Sequence, residues 1–367
     1  MREGWEYKRF EDCIIKAPKL KQVQTSLYNS GTMYPIVSQE EKLISGFCDD
    51  EAMVYHLDSP IVVFGDHTRV LKYIDFDFVV GADGVKILIP KENVDAKFFY
   101  YYLLWCKIPS LGYSRHYKLL KEIKVLVPPK SHQLIIVTEL DQINDLIRLK
   151  KEQLKEYDNL AQSIFYDMFG DPVENEKGWE MKKLGDVSTV VTGNTPPRKV
   201  LEYYNSDYIE WIKSDNISDV IPYPTKAKEY LSESGAKKGR IANAGDILVT
   251  CIAGSLSSVG TSCLLDRSVT FNQQINAMTK LVGIESFYLR SLMVYGKEYV
   301  QGYATTGMKH IINKSVFESI KIPLPPLPLQ QEFSTRIELI EKLKAEVQKN
   351  ITDLETLLAS RMQYWFE

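Results

Sequence analysis

The chain is poor in the residues that do chemistry. Its five cysteines (13, 48, 106, 251 and 263) are an odd number with no C-x-x-C pair among 367 residues. That spacing excludes a zinc ribbon, argues against a disulfide frame, and predicts reduced thiols in a cytoplasm. Five histidines are scattered along the chain, so no metal site is expected. The longest apolar run, Phe98 to Cys106, is far short of the roughly 20 residues that cross a bilayer, so no membrane partner is expected. No apolar stretch follows Met1-Arg2-Glu3-Gly4-Trp5, and no signal peptide is expected. P-loop, G-x-G-x-x-G, H-x-x-x-H and G-x-S-x-G strings are all missing. Asn194-Thr195-Pro196-Pro197-Arg198 is the nearest string to a methyltransferase loop, but its Asn is not next to the prolines and no aromatic follows. It reads as a rigid loop. Asp75 and Asp77 sit in alternating strand text, where a solvated face is the simpler reading than acid–base work. The chain therefore reads as catalytically empty and not an enzyme.

Net charge is also small, with a formal value of −3. Segments 131–170 and 327–367 together carry −5 of it, which leaves +2 for the rest. The excess is visible near Lys16–Lys21, Lys182–Lys199 and Lys226–Arg240. If DNA is the partner, a charge this modest predicts that the chain does not hold it alone.

What the chain does have is a repeat. From Ser131 to Phe169, the positions Ile136, Leu140, Ile143, Ile147, Lys150, Leu154, Tyr157, Ala161, Ile164 and Met168 step alternately by four and three, the a/d seam of a coiled coil. Adding 197 brings the same register to Phe333, Ile337, Ile340, Lys344, Val347, Ile351, Leu354, Leu358, Arg361 and Trp365. Each seam follows a strand-like run that stops at Pro-Pro, Ile123 to Pro129 and Ile320 to Pro326, and Gln133 matches Gln330. The openings Gly4-Trp5-Glu6-Tyr7-Lys8-Arg9-Phe10-Glu11-Asp12 and Gly178-Trp179-Glu180-Met181-Lys182-Lys183-Leu184-Gly185-Asp186 match at an offset of 174. The duplicated unit is thus a variable globular segment followed by a matched helix.

Both globular segments have strand text: Ile61–Phe64, Phe76–Val80 and Val85–Ile89 in the first, Ile247–Thr250 and Asn276–Leu281 in the second, with a turn at Gly81-Ala82-Asp83-Gly84. Phe98–Trp105 suits a helix or a strand, and its counterpart Phe287–Tyr299 predicts a helix. Phe169-Gly170-Asp171-Pro172 predicts a helix stop. The expected fold is α+β: two mixed, mostly β domains at 1–130 and 178–326, long helices at 131–170 and 327–367, and a polar linker at 171–177.

The turns are rich in side chains that read base edges or meet phosphates, with Asn and Gln suited to adenine and Arg and Lys to guanine. In the first domain these are Lys21, Gln24, His67, Thr68, Arg69, Arg115 and Lys118. They lie partly in Gly65–Arg69 and in Tyr113-Ser114-Arg115-His116-Tyr117-Lys118. In the second they are Thr195, Arg198, Lys199, Lys213, Ser255, Ser257, Gln273, Gln274, Asn276, Lys309 and His310. Taken singly, each suits ordinary turn chemistry. As a set in a duplicated chain they favour DNA contact.

Over essentially its whole length the chain resembles the specificity (S) subunits of type I restriction–modification systems. The likeness rests on the two Trp-x-x-x-Lys/Arg-Leu/Phe-x-Asp openings, the Pro-Pro entries with Gln133 and Gln330, and the two long helices. Phe169-Gly170-Asp171-Pro172 and Thr192-Gly193-Asn194-Thr195-Pro196 add to it; Lys16–Tyr34 lacks a Thr-Gly-x-Thr-Pro string. The resemblance implies two target recognition domains, each reading half of a split sequence in double-stranded DNA, separated by antiparallel helices forming a coiled coil with pseudo-twofold symmetry. It implies two methylation (M) subunits that carry S-adenosylmethionine and restriction (R) subunits that use ATP and magnesium, with no cofactor on this chain. About 38 residues of helix rise roughly 57 Å, against about 34–36 Å for a turn of B-DNA. Leu146, Leu160, Leu343 and Leu357, beyond the seam, offer a docking face for the M subunits. The alternative is a duplicated coiled-coil scaffold whose β domains bind protein; a self-contained methyltransferase is disfavoured by the missing cofactor motif.

Overall fold

The computed structural model describes residues 3–18, 21–82, 84–112, 114–204 and 206–367. Met1 and Arg2, Asp83 of the expected turn and Tyr113 of the expected contact string lie outside the described residues. The chain forms two compact units, Met1–Lys151 with Lys349–Glu367, and Glu152–Gln348. Each long helix contributes to both. The first runs Lys130–Phe169 and the second Leu327–Phe366.

In the first unit, the apolar run Ile61–Gly65 is wholly buried at the middle of an antiparallel sheet ordered Ile14–Ile15, Val85–Pro90, Ile61–Gly65, Leu71–Ile74. A second sheet is ordered Gly46–Cys48, Tyr34–Val37, Phe78–Val80, Val54–Tyr55, with Ile36 opposite Val79 in a parallel pair. A ribbon pairs Glu6–Arg9 with Lys124–Val127.

The second unit has the same neighbours in the same order. One sheet runs Thr189–Thr192, Ile275–Thr279, Ile247–Thr250, Ser262–Leu264. The other runs Tyr230–Leu231, Ile209–Ile212, Val269–Phe271, Ile241–Ala242, again with a parallel pair, Ile212 opposite Phe271. The ribbon is Glu180–Lys183 with Lys321–Leu324. An added pair, Ile252–Ala253 with His310–Ile311, belongs to this unit.

Gln133 and Gln330 explain their own match. Both are fully buried. Gln133 Nε2 donates to Asn93 O and Pro128 O while its Oε1 accepts from Asp95 N at 2.7 Å. Gln330 repeats this with Gly283 O, Pro325 O and Glu285 N at 2.9 Å. The prolines deny the chain a regular ladder just where it turns. A buried glutamine supplies the missing donors and acceptor, and clamps each long helix to the loop before a shorter one.

The helix ends are used alike. In the first unit Phe366 is buried against Phe98, Tyr102 and Trp105, and Trp365 stacks on Trp5 at 6.4 Å. In the second, Phe169 packs on Tyr288 at 4.6 Å and Trp179 Nε1 donates to Phe169 O. Gly170, at φ 75°, stops the first helix in the left-handed conformation open to glycine. Seam residues from Ile136 to Met168 and from Phe333 to Trp365 are buried or half-buried. Leu146, Leu160 and Leu357 are exposed, whereas Leu343 is half-buried.

Several element boundaries differ from expectation. Phe98–Trp105 lies in a helix, Ala96–Trp105, whose first amides are capped by Asp95. Phe287–Tyr299 is not one helix: Ser286–Tyr295 ends at Gly296 and Lys297–Gln301 follows. The strand expected at Phe76–Val80 begins only at Phe78, because the Asp77 carboxylate accepts from Leu57 N and pairs with His56. That expected at Asn276–Leu281 is Ile275–Thr279, closed by Lys280 at φ 50°. Among the described residues no helix is long and apolar enough to cross a membrane.

Candidate nucleic-acid interface

In the first unit the turn after Ile61–Gly65 carries His67, Thr68 and Arg69. Gln39 holds it: His67 N donates to Gln39 Oε1, and Thr68 Oγ1 to Gln39 O. Arg69 takes a left-handed φ of 64° and donates through Nη1 to Ile108 O. Asp66 and His116, which lie within the two contact strings, are buried and structural. Asp66 Oδ1 accepts from Tyr117 N, Asp66 O from His116 N and Nδ1, and His116 Nε2 from Leu111 N. They bring the 65–69 turn to the segment that exposes Arg115 and Lys118.

Lys72 was not legible as part of this region. It is buried, and its Nζ donates to Ser38 O, Lys42 O and Leu43 O, so it fixes the 38–43 loop beside Gln39. Burial holds its ammonium below the usual lysine range. Lys21 and Gln24 are exposed on the segment that Val23 N ties to Val80 O.

In the second unit Thr195 and Gln273 meet, the threonine hydroxyl donating to the glutamine Oε1. The approach is close because residue 193 is glycine: a Cβ there would run into Asn272 O and the Phe271 ring. Asn194 N donates to Phe271 O, and its Nδ2 to Lys238 O. The Thr-Gly-Asn-Thr-Pro string is thus a staple onto the 271–274 turn. Gln274 O accepts from Cys251 N and Ile252 N, which sets that turn against the serine loop. Ser214, Asp215, Thr250, Ser255, Ser258 and Gln274 share the wall of a cleft of about 330 Å³. Ser257 is exposed and its Oγ lies 3.2 Å from that of Ser255. His310 is half-buried in its strand pair, with Nδ1 3.2 Å from Thr305 O. Lys199 and Lys309 are exposed outside this hydrogen-bonded set.

Asn276 corrects the expectation of an offered amide. It is 2% exposed, its Oδ1 accepts from Thr192 Oγ1 at 2.7 Å, and its Nδ2 donates to Cys251 Sγ at 3.3 Å. Burial pushes the Cys251 thiol up to about 12, so it stays a neutral partner. Asn276→Ala is accordingly expected to lower stability by about 1–3 kcal/mol, the cost of stranding buried polar partners. Gln273 is exposed. The second lone pair on its oxygen and its NH2 group suit an adenine edge, and under the DNA-reading role proposed below Gln273→Ala should lose about 1–3 kcal/mol of discrimination in one half-site. Thermal melts and methylation mapping of the two variants separate the roles; reversed outcomes would exchange the assignments.

An aromatic floor with no signal in the sequence lies beneath two of these cations. Arg198 lies over Tyr204 and Trp211, each ring centre 4.6 Å from its Cζ, and Lys213 Nζ is 5.0 Å from Trp211. Glu229 bridges the two cations. The Lys213 ammonium, aided by Arg198, holds its carboxyl below the usual range. Trp211 reads as an ordinary strand residue, and Glu229 hides in a stretch dominated by lysines. Among the described residues no group of three or more His, Cys, Asp or Glu is placed to hold a metal ion.

Two copies of one α+β module, each gathering its own polar loops, make up the described chain. The chain belongs to the type I restriction modification DNA specificity domain family, whose model matches residues 2–157 and 176–355. It is 22% identical over 338 residues to the EcoR124I/EcoR124II specificity subunit of Escherichia coli, covering 87% of this chain and 81% of that one. To the MjaIX specificity subunit of Methanocaldococcus jannaschii it is 25% identical over 289 residues, covering 71% and 66%. The fold is similar to that of the type I restriction–modification S subunit from M. genitalium, with a TM-score of 0.62, 14% identity and coverage of 99% and 96%. It is also similar to a chain from a structure of complex assembly and conformational transition in the type I R-M system, with a TM-score of 0.58, 16% identity and coverage of 100% and 98%.

Proposed function

We propose that the chain is the non-catalytic specificity subunit of a type I restriction–modification complex, and that each recognition domain reads one half of a split sequence in double-stranded DNA. The domains are 1–130 and 178–326. The long helices pair as an antiparallel coiled coil that sets the unread spacer. The exposed Leu146, Leu160 and Leu357 lie on the faces that dock two methylation subunits. S-adenosylmethionine is carried by those subunits, and ATP with magnesium by the restriction subunits. The observation that carries this reading is the repetition of one strand order in two units, each with its own polar loops. A duplicated module suits a target with two halves.

The test is to co-produce the chain with its methylation subunits and map the modified adenines. A split sequence with two defined halves is expected, and the chain alone should transfer no methyl group. Methylation by the isolated chain, or a single undivided target, would count against the reading.

A further inference from the structure

We propose that Glu229 is an internal stand-in for a DNA phosphate, keeping Arg198 and Lys213 seated over Trp211 in the free protein and yielding both to the backbone of the half-site. The inference rests on the DNA-reading role proposed above. Arg198 Nη1 lies 2.6 Å from Glu229 Oε2, and Lys213 Nζ bonds the other carboxylate oxygen. One carboxylate thus faces two cations, leaving the cluster one positive charge in excess. A phosphate offers the same paired oxygen acceptors and the same charge.

The floor beneath the cations is rigid. Trp211 is buried, and its Nε1 donates to Asn194 O at 3.3 Å; Tyr204 OH donates to Pro196 O. The two rings hold the guanidinium by cation–π attraction whatever its anionic partner. Above the floor the ions are open: the side chains of Arg198, Glu229 and Lys213 are 51%, 36% and 31% exposed. Pairs this exposed are weak in water, so exchange for a phosphate meets little resistance. The floor also joins the recognition turn, since Thr195, bonded to Gln273, lies between Asn194 and Pro196. A phosphate seated on Arg198 and Lys213 positions the strand whose base edge Gln273 reads. Glu229 suppresses indiscriminate binding, because an unguarded pair of cations attracts any duplex.

The experiment measures binding of the full chain, assembled with its methylation subunits, to a cognate and a random duplex across a salt series. R198Q and K213Q should each weaken both duplexes alike and flatten the slope of log K against log salt, by about 0.9 in all when both are changed, because the two cations share one phosphate. E229Q should tighten both by about three- to tenfold at low salt. In the R198Q/K213Q background E229Q should change nothing. Thermal melts establish that each variant is folded. Weaker binding by folded E229Q, or an effect of E229Q in the background lacking both cations, overturns the proposal. So does an unchanged salt slope in R198Q and K213Q. If the wild-type complex methylates a split target while these slopes stay unchanged, this inference alone falls. If no split target is methylated, the reading beneath it falls as well.

Discussion

Replacing residues 1–130 by the matching segment of a related subunit will change one half of the methylated sequence and leave the other half as it was. The expectation follows from the compactness of each unit, which has its own sheets and its own loops. Each mismatched base pair costs about 1–3 kcal/mol, so exchanging a half-site of even roughly three pairs shifts preference by several orders of magnitude. The exchange has a packing condition. The first unit includes Lys349–Glu367, where Phe366 sits among Phe98, Tyr102 and Trp105 and Trp365 stacks on Trp5. Glu139 binds this segment too, accepting from Arg361 and from Trp365 Nε1. A donor lacking those aromatics must bring its own 349–367 with it. Methylation mapping of both hybrids decides the matter, and a change in both halves would refute modular reading.

Much of this architecture was legible because it depends on short-range regularities. The four–three spacing from Ile136 to Met168 specifies a helix with one buried stripe, and Pro-Pro before Lys130 says where it cannot begin. The matched glutamines flagged a buried clamp without revealing its partners, since Asn93 and Asp95 lie about forty residues away. Sites were harder because they depend on long-range pairing. Asn276 opens the expected strand just after the turn text Asn272-Gln273-Gln274, but only the ladder shows that it lies between Thr192 and Val249, with its amide turned to buried partners inside a sheet. Arg198, Trp211 and Glu229 meet only after three separate segments fold together. Gly296 breaks a helix that hydrophobicity alone would continue. Local pattern therefore reveals elements, whereas neighbours brought together by the sheets decide which polar groups remain available for DNA.

Inserting one heptad after Lys151 and another after Gln348 should lengthen the unread spacer by one to three base pairs without altering either half-site. These are the points at which the two long helices pass from one unit to the other. Pairs within each unit, Lys151 with Glu355 in the first and Lys344 with Asp158 in the second, are left on their own sides of the insertions. Seven residues keep the a/d seam in phase and add roughly 10.5 Å of helix at about 1.5 Å per residue. DNA rises about 3.4 Å per base pair, which sets an upper limit of about three added pairs. Helices inclined to the DNA deliver fewer. A heptad in one helix alone should abolish activity, because it displaces one of the two helix segments that each unit packs. Three residues in both helices should do the same by a different route, turning the downstream seam away from its partner. Methylation mapping reads all three variants. An active double-heptad variant with an unchanged spacer would mean that something other than the helices sets the distance.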